Sequence, residues 1–309
     1  MKIFQRCFLL ITLGLLAGGC SVKRMAVNKL GDALASGGTT FASDDDPELV
    51  KQAVPFSLKL MESLLAESPK HKGLLFATSS GFTQYGYAFV QQDADELEAK
   101  DYAAAQEMRA RAKRLYLRAR NYGLRGLEAS HPGFTNAFFV QPAQAVARMK
   151  KSDVPQLYWT AAAWGAAISL GKDDPTLVAD IPQLEALIDR AAALDESWGD
   201  GAIHSFLISY ELTRQGAPGN PTDRARKHFE RAVELTRGQQ AGPFVTFAET
   251  VCVEQQDVKQ FEALLNRALA INADAQTETR LVNLVMQRRA RWLLSKKEDL
   301  FLIPAPNSN

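Results

Sequence analysis

The chain has 309 residues, 46% of them hydrophobic, which is ample for one large core or two smaller ones. Its 36 Lys and Arg against 35 Asp and Glu nearly cancel, so no global field argues for nucleic acid and every charge argument has to be local.

At the N-terminus Lys2 and Arg6 precede an apolar run from Cys7 to Leu16 and then Ala17, Gly18 and Gly19. This is the pattern of a secretory signal peptide over 1–19, the run being too short for a membrane span, which needs about 20 apolar residues. Cys20 follows directly, and the stretch resembles the lipobox of bacterial lipoproteins, in which the cysteine thiol is acylated and becomes the mature N-terminus. Ala17 departs from it, standing where that motif more often has Leu, and an ordinary signal peptide is the alternative. Ser21, not Asp, comes next, which in a two-membraned host implies sorting to the outer membrane. The expected location is therefore periplasm-facing and lipid-anchored. With Cys7 removed and Cys20 acylated, Cys252 is left alone between two valines, forms no internal disulfide and reads as a small buried core residue.

Residues 20–43 are rich in small and polar types and read as the lipidated N-terminus and a tether. A folded body is expected over 44–300, with 301–309 as a tail. Its start is marked by Asp46 followed by Pro47, the first placed to accept backbone N–H bonds as an N-cap and the second suited to the first helical position. From there the periodicity is helical nearly throughout, with no run of alternating strand residues. The predicted helices are 47–67, 71–97, 101–130, 142–150, 154–170, 180–195, 199–215, 222–237, 241–255, 257–271 and 275–295.

Such an all-α chain is either an irregular bundle or an array of helical hairpins. Self-alignment brings Arg190-Ala191, Arg231-Ala232 and Arg267-Ala268 into register, with Arg118-Ala119 earlier. The pattern Ala-x3-aromatic-x2-Ala recurs at Ala112, Tyr116, Ala119 and at Ala225, Phe229, Ala232. Small residues at those positions let helices approach while the aromatic fills the gap between them, a spacing that resembles the second helix of a tetratricopeptide repeat. The expected fold is a tetratricopeptide-like helical-hairpin array with about four degenerate repeats and insertions.

Arrays of this kind offer concave surfaces for partners or ligands and seldom carry chemistry. His71, His131, His204 and His228 are far apart, and none has a second His or Cys at zinc-ligand spacing. No phosphate or dinucleotide loop appears. Ala77-Thr78-Ser79-Ser80-Gly81 imitates a nucleophile elbow but lacks the sheet that such a turn needs. Neither a catalytic residue, nor a metal, nor a cofactor is expected. Asp93, Asp95, Glu96, Glu98 and Asp101 close one helix while seven cations from Arg109 to Arg125 crowd the next. These clusters either face one another in part with the remainder solvated, or form a docking patch for an anionic partner.

The uncharged stretch SGFTQYGYAFV, residues 80–90, places Phe82, Tyr85 and Phe89 on one helical stripe, with Gly81 and Gly86 thinning the flanking surfaces. The stripe reads as core packing or as a ligand wall, the tyrosine hydroxyl favouring the edge of a cavity. Together with LVKQAVPFSLKLMESLLAESPKHKGLL before it and YWTAAAWGAAI after it, this region resembles the T-component family of tripartite ATP-independent periplasmic (TRAP) transporters, known as TatT. The likeness extends from about Asp46 to Lys297. It implies an α-helical lipoprotein accessory, homotrimeric, that associates with the periplasmic solute-binding protein, the P component of the transporter. It also implies an apolar pore or cleft for a small hydrophobic, carboxylate-bearing solute. Phe82, Tyr85 and Phe89, with Trp159 and Trp164, are the candidate lining. A general envelope scaffold with no small-molecule ligand is the competing expectation, and no role in nucleic-acid binding is expected of a protein held outside the cytoplasm.

Overall fold

The computed structural model describes residues 25–36 and 38–302, and the signal segment, Cys20 and the last seven residues lie outside them. Two helical pieces come first, α1 over 25–36 and α2 over Gly38–Ala42. The stretch expected as a tether is thus helical in its described part, because Val27 and Leu34 find an apolar surface on the body.

The body starts as the sequence dictates. Asp46 accepts from the amides of Glu48 and Leu49, both at 3.0 Å, and Pro47 opens α3 (Pro47–Glu67). Next comes α4 (Lys72–Tyr85), capped by the His71 ring, which accepts from the Leu74 amide at 3.2 Å. The single helix expected over 71–97 is interrupted by a π-turn, Gly86–Gln91, before resuming as α5 (Gln92–Leu97). Fully buried Tyr116 accounts for the local fit. Its ring lies where a Cβ on residue 86 would sit, 2.8 Å away, and its hydroxyl donates to Gln91 Oε1 at 2.7 Å.

The longest helix, α6 (Tyr102–Ser130), packs against α4 on one side and α9 on another. Between them come α7 (Phe134–Val140) and α8 (Pro142–Ala147), separated at Gln141 because a residue before proline avoids the helical region. The remaining elements are α9 (Val154–Ser169), α10 (Pro175–Val178), α11 (Ile181–Asp195), α12 (Trp198–Tyr210) and α13 (Pro221–Leu235). Then follow α14 (Ala241–Phe247) with a second π-turn at Ala248–Cys252, α15 (Val258–Leu269), α16 (Arg280–Ser295) and α17 (Lys297–Leu300). There is no strand among the described residues, and the all-α expectation holds.

Successive helices are neighbours: α9 with α11, α12 with α13, α14 with α15, α15 with α16. Ala119, Ala191, Ala232 and Ala268, the alanines of the four Arg-Ala pairs, are all completely buried in α6, α11, α13 and α15. One large core is built mainly from α4, α6, α9 and α11, and a second from α12 to α16. A third and smaller one, of Met61, Leu64, Leu65, Leu74 and Leu75, lies under α1.

Candidate functional site

The aromatic stripe on α4 faces inward. Phe82, Tyr85 and Phe89 are buried in the first core, with Tyr85 and Phe89 5.9 Å apart between ring centres. Phe82 stacks nearly parallel on Tyr122 at 6.3 Å. Trp164 joins the same core and donates its indole N–H to Asp180 Oδ2 at 3.2 Å. Trp159 is half-buried and packs edge-on against Tyr158, 5.1 Å away. Four of the five candidates therefore share one core and Trp159 stands at its margin. Two surface concavities, one beside α8 and α11 and one beside α6, are not walled by them.

What the stripe leads into is a polar seam between the two large cores. Tyr87, in the first π-turn, packs against both, and its hydroxyl lies 3.9 Å from the Met286 sulfur. Burial, reinforced by the nearby Glu249 carboxylate, pushes its phenol up to about 12, so it stays protonated and can donate. Beside it Gln92 is 1% exposed; its amide lies close enough to the Tyr87 hydroxyl to pull that phenol down as a loose hydrogen bond would, but neither amide atom reaches good hydrogen-bond geometry with any partner. Glu249, from the second π-turn, is bonded to Arg289 of α16, whose other nitrogen stands 2.9 Å from Asp95. Burial opposes the Arg289 charge, but Glu249 and its hydrogen bond more than offset this and raise the guanidinium above its ordinary range. The guanidinium also lies over the Trp292 ring at 4.2 Å. Two π-turns, a backbone form found often at functional sites, thus converge on one partly buried charged cluster.

Two turns earlier in α4, Thr78 and Ser79 are completely buried, with hydroxyls that likewise lack partners. This is the segment that imitates a nucleophile elbow. In the protein it is plain helix with no sheet beside it among the described residues. Buried polar atoms left unpaired are uncommon because each costs about 1–3 kcal/mol. Gln92, Thr78 and Ser79 add uncharged hydrogen-bonding capacity to an otherwise apolar interior, suited to a polar group carried on an apolar molecule.

The acidic run at the end of the stripe does not simply meet the basic run of α6. Arg109 takes Asp95 and Glu98, each at 2.8 Å. Asp93 instead pairs with Lys51 at 2.7 Å and Arg288 at 2.8 Å, and Glu96 pairs with Arg288 at 2.7 Å. These links to α16 join residues nearly two hundred positions apart, beyond the reach of any spacing rule. The histidines, distant in sequence, also meet in one case: His204 and His228 bring their Nδ1 atoms to 2.8 Å, and His204 Nε2 lies 3.3 Å from Glu196. No group of three or more His, Cys, Asp or Glu among the described residues is arranged to hold a metal ion. Cys252 is buried, and its thiol is pushed up to about 12 chiefly by that burial.

A family model described as "TRAP transporter T-component" matches residues 43–301. The chain is also 30% identical over 306 residues to an uncharacterized protein of Treponema pallidum (strain Nichols), with 93% of this chain and 95% of that relative covered.

Proposed function

The chain belongs to the TRAP transporter T-component family, a family of transporter components and not of enzymes, and from that premise we propose how it serves its transporter. In this reading the protein docks the periplasmic solute-binding protein and handles a small hydrophobic, carboxylate-bearing solute inside a scaffold of tetratricopeptide-like hairpins. The mature chain is anchored by lipid on Cys20, faces the periplasm from the outer membrane and works as a homotrimer.

The observation that carries the solute reading is that the aromatic stripe has buried polar atoms without well-formed partners at both ends, Gln92 in the seam and the hydroxyls of Thr78 and Ser79 roughly 20 Å earlier along the helix. The Tyr87 hydroxyl and the Gln92 amide can donate to a carboxylate, while Phe82, Tyr85 and Phe89 supply apolar contact for its hydrocarbon part. Arg289 is already held by Glu249 and Asp95, so it positions the seam and does not itself receive the solute.

The test is native mass spectrometry of the mature chain purified under mild conditions, followed by denaturation and identification of whatever is released. A trimer carrying a hydrophobic acid supports the reading. A bare monomer would move the assignment to a protein-assembly scaffold. The placement is tested separately with F82D/F89D: folded protein that still retained the wild-type amount of solute would sink it.

A further inference from the structure

Beyond its paired arginines α6 carries a second set that the seam does not use. Arg111, Arg114, Arg118 and Arg125 are all exposed and stand at i, i+3, i+7 and i+14. At about 100° per residue they fall within about 60° of arc, along roughly 21 Å of helix axis. Arg109 and Arg120 point to the opposite side, where Asp95, Glu98 and Asp180 take them. Among the described residues Arg111 and Arg114 have no ion-pair partner within 4 Å.

The stripe borders a concavity of about 500 Å³. Tyr122 lines it, backed from the core by the stacked ring of Phe82, and two guanidiniums lie over these rings: Arg118 is 5.4 Å from the Phe82 ring centre and Arg125 5.0 Å from that of Tyr122. The acids that face it are few. Glu62 stands 3.6 Å from Arg118 and is already bound by the Tyr122 hydroxyl at 2.9 Å and Lys59 at 2.6 Å. Glu107 is one turn before Arg111. Four arginines and Lys59 against two carboxylates leave the patch cationic.

The neighbouring chain says what it faces. Tyr122 joins the same small core on which α1 rests through Val27 and Leu34. The His71 ring lies 3.2 Å from the Asn28 carbonyl, and Arg125 donates to the Pro69 carbonyl at 3.2 Å, two residues from His71. Cys20 precedes Met25 by five residues, a reach of at most about 17 Å. Acyl chains on Cys20 would therefore hold a membrane surface close to this end of α6, and Lys23 and Arg24 in the connecting residues add charge of the same sign. Planar guanidinium forks fit phosphate, and basic clusters next to a membrane anchor are drawn to anionic headgroups.

We infer that the arginine stripe of α6 docks the phosphate headgroups of anionic phospholipids in the membrane that holds the N-terminal lipid, an inference that rests on the lipid-anchored reading of Cys20. The stripe sets which side of the protein meets the bilayer and leaves the opposite side, with the C-terminal helices, to the aqueous space.

The test uses the full mature lipoprotein in nanodiscs, with an environment-sensitive dye on N121C. Asn121 sits in the concavity, and Cys252, buried and hardly ionised, does not compete for the label. In phosphatidylcholine discs containing phosphatidylglycerol the emission should shift to the blue relative to phosphatidylcholine alone. The shift should vanish in about 1 M salt, where the Debye length falls to ~3 Å. It should also be lost in R111E/R114E, which breaks no ion pair among the described residues. No shift with phosphatidylglycerol, or an undiminished shift in R111E/R114E, overturns the inference. The same shift from inorganic phosphate in phosphatidylcholine discs would make this a free-anion site and overturn the lipid assignment. Intact mass reads acylation independently. If the chain carries no acyl mass, Cys20 is a free thiol, so the soluble chain is labelled at N121C in a C20S background; adding phosphatidylglycerol vesicles then reads the stripe alone, a shift supporting it and no shift overturning it.

Discussion

Replacing Gln92 with methionine should stabilise the protein once its solute has been removed. The side chain is 1% exposed and its amide has no well-formed hydrogen bond, only a loose contact with the Tyr87 hydroxyl, so folding strips it of water with little return, at a cost of about 1–3 kcal/mol. Methionine has nearly the same length, no strongly polar atom and enough flexibility to fill the same space, so Q92M removes that cost without opening a cavity. At about 2 °C per kcal/mol for a body of this size, the expected rise in Tm is about 2–6 °C. Scanning calorimetry on protein refolded after denaturing extraction reads the effect. In protein purified with solute the wild-type amide is satisfied, so the advantage should shrink or reverse while Q92M retains less solute. A stripped Q92M that melts below the wild type refutes the reasoning, because it would make Gln92 a structural anchor and not a group kept in reserve.

Three further outcomes follow from the same geometry. G86A puts a methyl group 2.8 Å from a Tyr116 ring that is fully buried and tied to Gln91, so it should cost about 1–3 kcal/mol in urea unfolding, whereas G242A, with nothing within 4 Å, should be near neutral. Replacing Arg289 with methionine leaves Glu249 partly buried without its cation while Asp95 keeps Arg109, and a loss of about 2–3 kcal/mol is expected, with partial recovery in R289M/E249Q. The His204–His228 pair is held below the usual histidine range chiefly by burial, against the pull of Glu196 on His204 and of Glu211 on His228, and with Arg231, Arg214 and Arg224 close by. Unfolded histidines titrate near 6.5 and so bind protons that the folded pair resists; stability should be full above that pH and fall as the pH drops below it. H228Q should flatten that slope in a series of melting curves, and an unchanged slope would remove the pair as its cause.

Legibility in the sequence divided along the range of the interactions. The Asp46-Pro47 start and most helix spans could be read because caps and periodicity are local. What escaped was short or register-breaking. Helix α7 is seven residues with no charged face, though Phe134 and Phe138, one turn apart and 4.8 Å between ring centres, were a usable signal. Neither π-turn could be inferred, since each depends on what packs across it, as Tyr116 does at Gly86. Within the candidate site the aromatic stripe was visible as spacing. The cluster it leads to was not, because Glu249 and Arg289 come from helices far down the chain and the pairing of Arg289 with both Glu249 and Asp95 leaves no local pattern. The Arg-rich run of α6 was visible as composition, but only packing separates the arginines consumed by acids from those left facing out.

The first π-turn also bears on how the chain length is kept in this region. A π-turn is a helix carrying one residue more than its span requires, and its wide loop absorbs the roughly 100° that the extra residue would otherwise add. A single deletion within Gly86–Gln91 would therefore close the turn to regular helix and leave Asp93, Asp95 and Glu96 facing Lys51, Arg109, Arg288 and Arg289. The same loss in the regular turns of α4, where there is no spare residue, would swing all three acids away from those partners together. Length changes among descendants of this chain should thus collect inside the turn and be rare in the regular helix before it.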